Sequence, residues 1–172
     1  MPQKEVATVV LLGMMGSGKT TVGRALAARI GWRYMDNDEL VPLVSGRAPA
    51  EIDAAEGEDA LHRAEAQALR HALTAPPPLI VGAAACVVTD PDSVALLRAA
   101  PAVVYLRTQP ETLRARIGQG DGRRNDATDL AWLQARHAER DAVYLELASL
   151  TIDTDELDAD SVAGLVVDAL GA

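Results

Sequence analysis

The sequence predicts an α/β domain of three layers, a parallel sheet covered by helices on both faces. Three observations predict it. Five short apolar runs recur along the chain with little of the polar alternation that marks a half-exposed strand. Helical patterns separate them, as right-handed crossovers between parallel strands require. A glycine-rich turn, GMMGSGKT at 13–20, stands between the first apolar run and the first helical pattern.

The strands are expected at TVVLLG (8–13), RYMD (33–36), LIVG (79–82), VVYLR (103–107) and LTIDT (150–154). Each is short and bounded by turn formers or charge. Helices are expected at about 18–30, 57–74, 92–99, 110–117, 128–148 and 159–170. The first begins inside the glycine-rich turn, and TAPPPL at 74–79 stops the second because proline cannot continue a helix. TDPDS at 89–93 supplies capping residues for the third. GQGDGRRND at 118–126 has glycine and charge without apolar periodicity, so a mobile loop is expected there. No repeat or low-complexity tract divides the chain, and residues 1–172 read as a single domain.

Composition excludes several classes of function. The net charge of −9 argues against sequence-independent nucleic-acid binding and against anionic membranes, both of which need clustered Lys and Arg. A local basic funnel remains available from the arginines near 114–124, enough for a small anion. The single Cys86 permits no internal disulfide and fits a reducing compartment. MPQKEVATVV lacks the long apolar core of a secretory signal, and no run reaches the roughly 18 apolar residues of a membrane span. A cytoplasmic protein, monomeric or weakly dimeric, is expected. Phe is absent, so the core should be mostly aliphatic.

GMMGSGKT satisfies G-x-x-x-x-G-K-[ST] through Gly13, Gly18, Lys19 and Thr20. Glycines let backbone N–H groups turn inward around phosphate oxygens, and the helix that follows aims its positive end at them. The backbone of Gly13, Gly16, Ser17, Gly18, Lys19, Thr20 and Thr21 is therefore expected to hold ATP. Lys19 would reach the β- and γ-phosphates, and the Thr20 hydroxyl would ligate Mg²⁺. The second cluster is MDNDE, at the carboxyl end of the second strand, where doubly wound sheets bind their ligands. Of Asp36 and Asp38, one carboxylate can hold Mg²⁺ or its waters while the other accepts a proton from an attacking hydroxyl. Alternatively, Asn37 or Asp38 caps the helix DELVPLV.

On these motifs the chain resembles the shikimate kinases, a family of P-loop small-molecule kinases. The likeness continues through SGRAPAEIDAAEGEDALHRAE (45–65), RIGQGDGRR (116–124), ERDAVYLELA (139–148) and the strand TIDTD. The resemblance implies a five-stranded parallel sheet with a lid at about 118–127, MgATP as donor, and a hydroxylated, anionic acceptor such as shikimate, a related cyclitol or a hydroxy acid. It assigns the Mg²⁺-linked aspartate to Asp36 and the acceptor-hydroxyl aspartate to Asp38. It likewise assigns the adenine-side arginine to Arg116, the catalytic lid arginine to Arg123, and an arginine pairing with the acceptor carboxylate to Arg140. A guanidinium on a closing lid can stabilise charge on the transferring phosphoryl oxygens, and Arg140 can grip a carboxylate with paired hydrogen bonds.

The chain departs from the family on the acceptor side. Leu61 and His62 stand where the family has Phe-Arg, the Arg being its other carboxylate clamp; imidazole cannot reproduce a forked guanidinium pair, and His62 is expected to bind the acceptor by a single donated hydrogen bond. Arg63 is a poor substitute, since one helical position turns its side chain by about 100°. Ala83, Ala84 and Ala85 replace three glycines that bring backbone against the acceptor, which puts Ala84 in the acceptor wall. RRND in the lid replaces an arginine followed by Pro and two Leu. An intact donor half with an altered acceptor half favours a kinase with a modified acceptor pocket. A gluconate-kinase-like enzyme fits less well, and the competing class is a nucleotide-binding switch without phosphoryl transfer.

Overall fold

The computed structural model describes residues 6–118 and 129–171. Five strands form one parallel sheet: β1 (Thr8–Leu12), β2 (Arg33–Asp36), β3 (Leu79–Gly82), β4 (Ala102–Arg107) and β5 (Leu150–Asp153). Their order is β2-β3-β1-β4-β5, so the chain runs outward from β1 to β2, returns through β3, and then crosses β1 to continue in the other direction at β4 and β5. The crevice at such a reversal is where α/β sheets bind ligands. The register pairs Asp36 with Gly82 and Leu12 with Tyr105, which brings the carboxyl ends of four strands to one edge.

Strand alternation sends β1 into both cores. Val10 and Leu12 join the cluster beneath α2 (Asn37–Ser45), α4 (Glu58–Leu73), α5 (Pro91–Ala99) and α7 (Leu130–Leu147). Val9 and Leu11 face the opposite cluster, with α1 (Lys19–Ile30) and α8 (Ala159–Leu170). All four are fully buried, and each contributes about 1.5–3 kcal/mol relative to exposure. Absence of polar alternation in these runs thus reflects helices on both faces, as expected. The core is aliphatic but for two tyrosines, Tyr105 and Tyr144, its largest fully buried side chains. Their rings lie 4.8 Å apart, and each hydroxyl is used: Tyr105 donates to Asp141 Oδ1 at 2.8 Å and Tyr144 to the Ala85 carbonyl at 2.6 Å.

α2 covers the helix DELVPLV named for the alternative reading of Asn37 and Asp38, whereas α3 (Pro49–Glu56) and a 3-10 helix over Ala85–Thr89 stand where no helix is expected. The helix cap also differs from expectation. Neither Asn37 nor Asp38 caps α2; Asp36 does, its Oδ1 accepting from the Asp38 amide at 2.9 Å. The remaining helices, including α6 (Pro110–Ile117), agree with the expected positions to within about two residues. Of the expected lid at 118–127, all but Gly118 lies outside the described residues, and so does Arg123. Among the described residues, no helix is long and apolar enough to cross a membrane.

Candidate active site

The loop after β1 wraps the start of α1. Gly18 caps that helix with φ 97°, a left-handed conformation that strains any residue bearing a Cβ. Beyond it the first turn of α1 presents Lys19, Thr20 and Thr21 to a cleft of about 1200 Å³. The same cleft is lined by Gly16, Ser17, Asp36, Asp38, His62, Ala84, Arg116 and Arg140. Every one of the expected binding residues that the structure describes therefore reaches one cavity, apart from Gly13, which sits at the root of the loop. Lys19 Nζ donates to the carbonyls of Gly13 and Met14 at 2.8 and 2.9 Å, holding the ammonium over the loop. Ser17 Oγ is buried and has no hydrogen-bond partner among the described residues, as suits a hydroxyl at an anion site.

Thr20 and Asp36 meet. The Thr20 hydroxyl donates to Asp36 Oδ2 at 2.6 Å, and the Tyr34 hydroxyl donates to the same oxygen at 2.8 Å. Burial acts to raise the Asp36 pKa. The hydrogen bonds from Thr20, Tyr34 and the Asp38 amide, with the Lys19 charge, overcome it and hold the carboxyl below its ordinary value. Asp36 is thus an ionised carboxylate against a hydroxyl at the mouth of a phosphate loop, an oxygen donor set that suits Mg²⁺. Asp38, two residues on, is exposed to the cleft.

Tyr34 was missed by the sequence reading. Its ring lies so close over α1 and β3 that a Cβ at Gly23 would come within 2.2 Å of Cε2, and one at Gly82 within 2.3 Å of the hydroxyl. The available signal was period two: in RYMD, Tyr34 and Asp36 share one face of a strand.

On the donor side Arg116 bridges to the loop after β5, its Nη2 donating to the Thr154 carbonyl at 2.7 Å and its Nη1 to Thr154 Oγ1 at 3.2 Å. On the other side stands Arg140, buried on α7, whose Nε has no hydrogen-bond partner among the described residues. His62 lies half-buried on α4, with Nε2 3.4 Å from Glu58 Oε1. Arg63 points outward and is exposed, as its helical position requires. Ala83 and Ala84 are buried in the cleft wall, and no described residue other than glycine has positive φ. The three alanines therefore add methyl groups to the wall without backbone strain.

The shikimate kinase family model matches residues 15–171. The chain belongs to the shikimate kinase family. It is 39% identical over 171 residues to the shikimate kinase of Moorella thermoacetica, covering 95% of this chain and 94% of that one. It is 38% identical over 167 residues to that of Symbiobacterium thermophilum, with 94% and 95% covered. Among solved structures, the shikimate kinase of Acinetobacter baumannii in complex with shikimate superposes with a TM-score of 0.84 at 28% identity, over 98% of this chain and 97% of that one. A gluconokinase from Sinorhizobium meliloti shares the fold, with a TM-score of 0.64 at 21% identity over 97% and 93%. This member of the shikimate kinase family is an ATP-dependent small-molecule kinase, a phosphotransferase with an alcohol group as acceptor. The comparisons lend nothing to the switch.

Proposed function

We propose that the chain transfers the γ-phosphoryl group of MgATP to a hydroxyl of shikimate, and that residues 1–172 work as one kinase unit. The single observation that carries the site assignment is the Thr20–Asp36 contact at 2.6 Å, which joins the phosphate-loop helix to the β2–α2 junction that presents Asp38. Thr20 and Asp36 would hold Mg²⁺, directly or through its waters. When bound, MgATP supplies the phosphoryl group, and its ion draws charge from the phosphate oxygens.

The chain's own groups do the rest. Lys19 leaves the loop carbonyls for the phosphates and offsets their charge at the β–γ end. Asp38 accepts the proton of the attacking hydroxyl as the oxygen turns toward phosphorus. Arg140 receives the acceptor's carboxylate, an assignment supported by its unpartnered Nε in a buried position. Arg116 borders the base of the nucleotide. Arg123, outside the described residues, keeps its sequence-based place as the lid arginine.

A related cyclitol or hydroxy acid is the second reading, favoured by His62 and by the methyl-lined wall at Ala83 and Ala84. ADP release from MgATP decides between them, with Lys19→Ala protein as blank. Shikimate should stimulate release well above that blank, and the blank itself should show none. A response to another cyclitol with none to shikimate would transfer the assignment to that acceptor.

A further inference from the structure

The acceptor end of the cleft contains a group of ligand-type side chains, two of which, Glu65 and Cys86, have no part in the roles given above. His62 and Glu65 stand three apart on α4 and so share one face of it. Cys86 approaches from the 3-10 helix after β3. One ligand atom of each residue lies within 4.8 Å of the other two. Cys86 Sγ donates to Glu65 Oε2 at 2.8 Å, and all three residues line the cleft that holds Asp38 and Arg140.

One nitrogen, one oxygen and one sulfur suit a borderline-soft cation. Mg²⁺ asks for oxygens in an octahedron and would leave this trio for the Thr20–Asp36 end. Tetrahedral zinc, with bonds of about 2.0–2.3 Å, sets its donors roughly 3.3–3.7 Å apart. The widest separation in the trio exceeds that by up to about 1.5 Å, while the Cys86–Glu65 contact at 2.8 Å falls short of it; rotation of the His62 and Glu65 side chains adjusts both. Cys86 itself is held: Thr89 Oγ1 donates to its carbonyl at 2.7 Å, and Tyr144 fixes the neighbouring Ala85 carbonyl at 2.6 Å.

We propose that His62, Glu65 and Cys86 bind one thiophilic divalent cation of the Zn²⁺ class, with its fourth coordination position open to the acceptor. The Cys86 thiol donates its proton to the Glu65 carboxylate at 2.8 Å, so without an ion the sulfur stands as S–H. On binding, the S–H bond breaks, a sulfur–metal bond forms and the proton leaves to solvent; no electron moves. One unit of positive charge is gained beside Glu65, at the place where imidazole alone is too short to fork a carboxylate. The ion then gives an acceptor carboxylate a second cationic contact opposite Arg140. That role rests on the proposed carboxylated acceptor; the ion site does not.

The test uses the full-length, untagged, chelator-stripped protein in excess Mg²⁺, titrated with Co²⁺ as a spectroscopic probe. One equivalent should produce a sulfur-to-cobalt charge-transfer band in the near ultraviolet, and Zn²⁺ should abolish it. Cys86 is the chain's single cysteine, so the band has one source and Cys86→Ser should remove it. His62→Gln should weaken cobalt binding by at least about tenfold, which keeps the test decisive should Cys86→Ser not fold. A folded wild-type protein without the band, or with cobalt affinity unmoved by both His62→Gln and Glu65→Gln, overturns the site. For the role, one equivalent of Zn²⁺ should lower the KM for shikimate about tenfold in the wild type. An intact band with unchanged KM overturns the role alone. If shikimate is no substrate, the band still decides the ion site, so the two failures stay separate.

Discussion

Asp36 and Asp38 are two residues apart, yet burial gives them different work. Asp36 is 7% exposed and takes hydrogen bonds on both oxygens, whereas Asp38 opens on the cleft. Asp38→Asn should lower kcat by about 10²–10⁴-fold, the usual worth of a positioned general base, while nucleotide affinity measured by calorimetry stays unchanged. Equal loss of both would remove the proton-acceptor role. Asp36 carries a pH signature. Its folded pKa lies below the ordinary 3.8, so its contribution to stability is complete above the unfolded value and is lost as pH falls through the folded one. Asp36→Asn should therefore unfold in urea with a midpoint less dependent on pH below about 4 than the wild type's. A wild-type midpoint as flat as the variant's in that range would contradict the hydrogen-bonded carboxylate. Lys19, Thr20 and both aspartates were legible in the sequence because phosphate loops fix local spacing. Glu65 and Cys86 were not, because their contact joins residues 21 apart in the chain.

Elements transmit these positions. Tyr34 wedges β2 against α1, touching the space a Cβ at Gly23 would need. Gly23→Ala gains about 1 kcal/mol of helix propensity and meets an overpacking cost of about 1–3 kcal/mol. The rigid ring, pinned at Gly82 and hydrogen-bonded to Asp36, makes the upper part of that range apply. The variant should melt about 2–8 °C lower, and a higher melting temperature would show that the ring yields. The five strands were readable because apolar runs with buried faces leave little doubt of type. α2, read only as the helix DELVPLV after Asp36, and α3, not expected at all, have weak helical patterns for physical reasons. α2 is nine residues long and contains Pro42, which breaks its internal ladder, and α3 buries a single apolar residue, Ile52. Tertiary packing on α4, not local periodicity, makes them helices.

Across the whole molecule, the cleft draws on α1, β2, α4, α6, α7 and the loops beyond β3 and β5. A ligand that touches so many elements should stabilise them together. MgATP at a hundred times its Kd contributes about 2.7 kcal/mol, which for a chain of this size raises the melting temperature by about 5–10 °C. Calorimetry should show one transition moving as a unit. Two transitions, of which only one moves, would contradict a single kinase unit. The sheet order has a further result. Counting outward from β1, the proposed acceptor-side residues Asp38, His62, Ala84 and Cys86 all belong to the β3–β2 side and to one unbroken stretch of chain, with Arg140 supplied from α7. The phosphate loop and Arg116 flank that stretch without interrupting it. In genetic terms, the acceptor residues proposed above, Arg140 apart, lie in one continuous internal segment of the reading frame, so replacing that segment would exchange most of the proposed acceptor pocket and leave the phosphate loop in place.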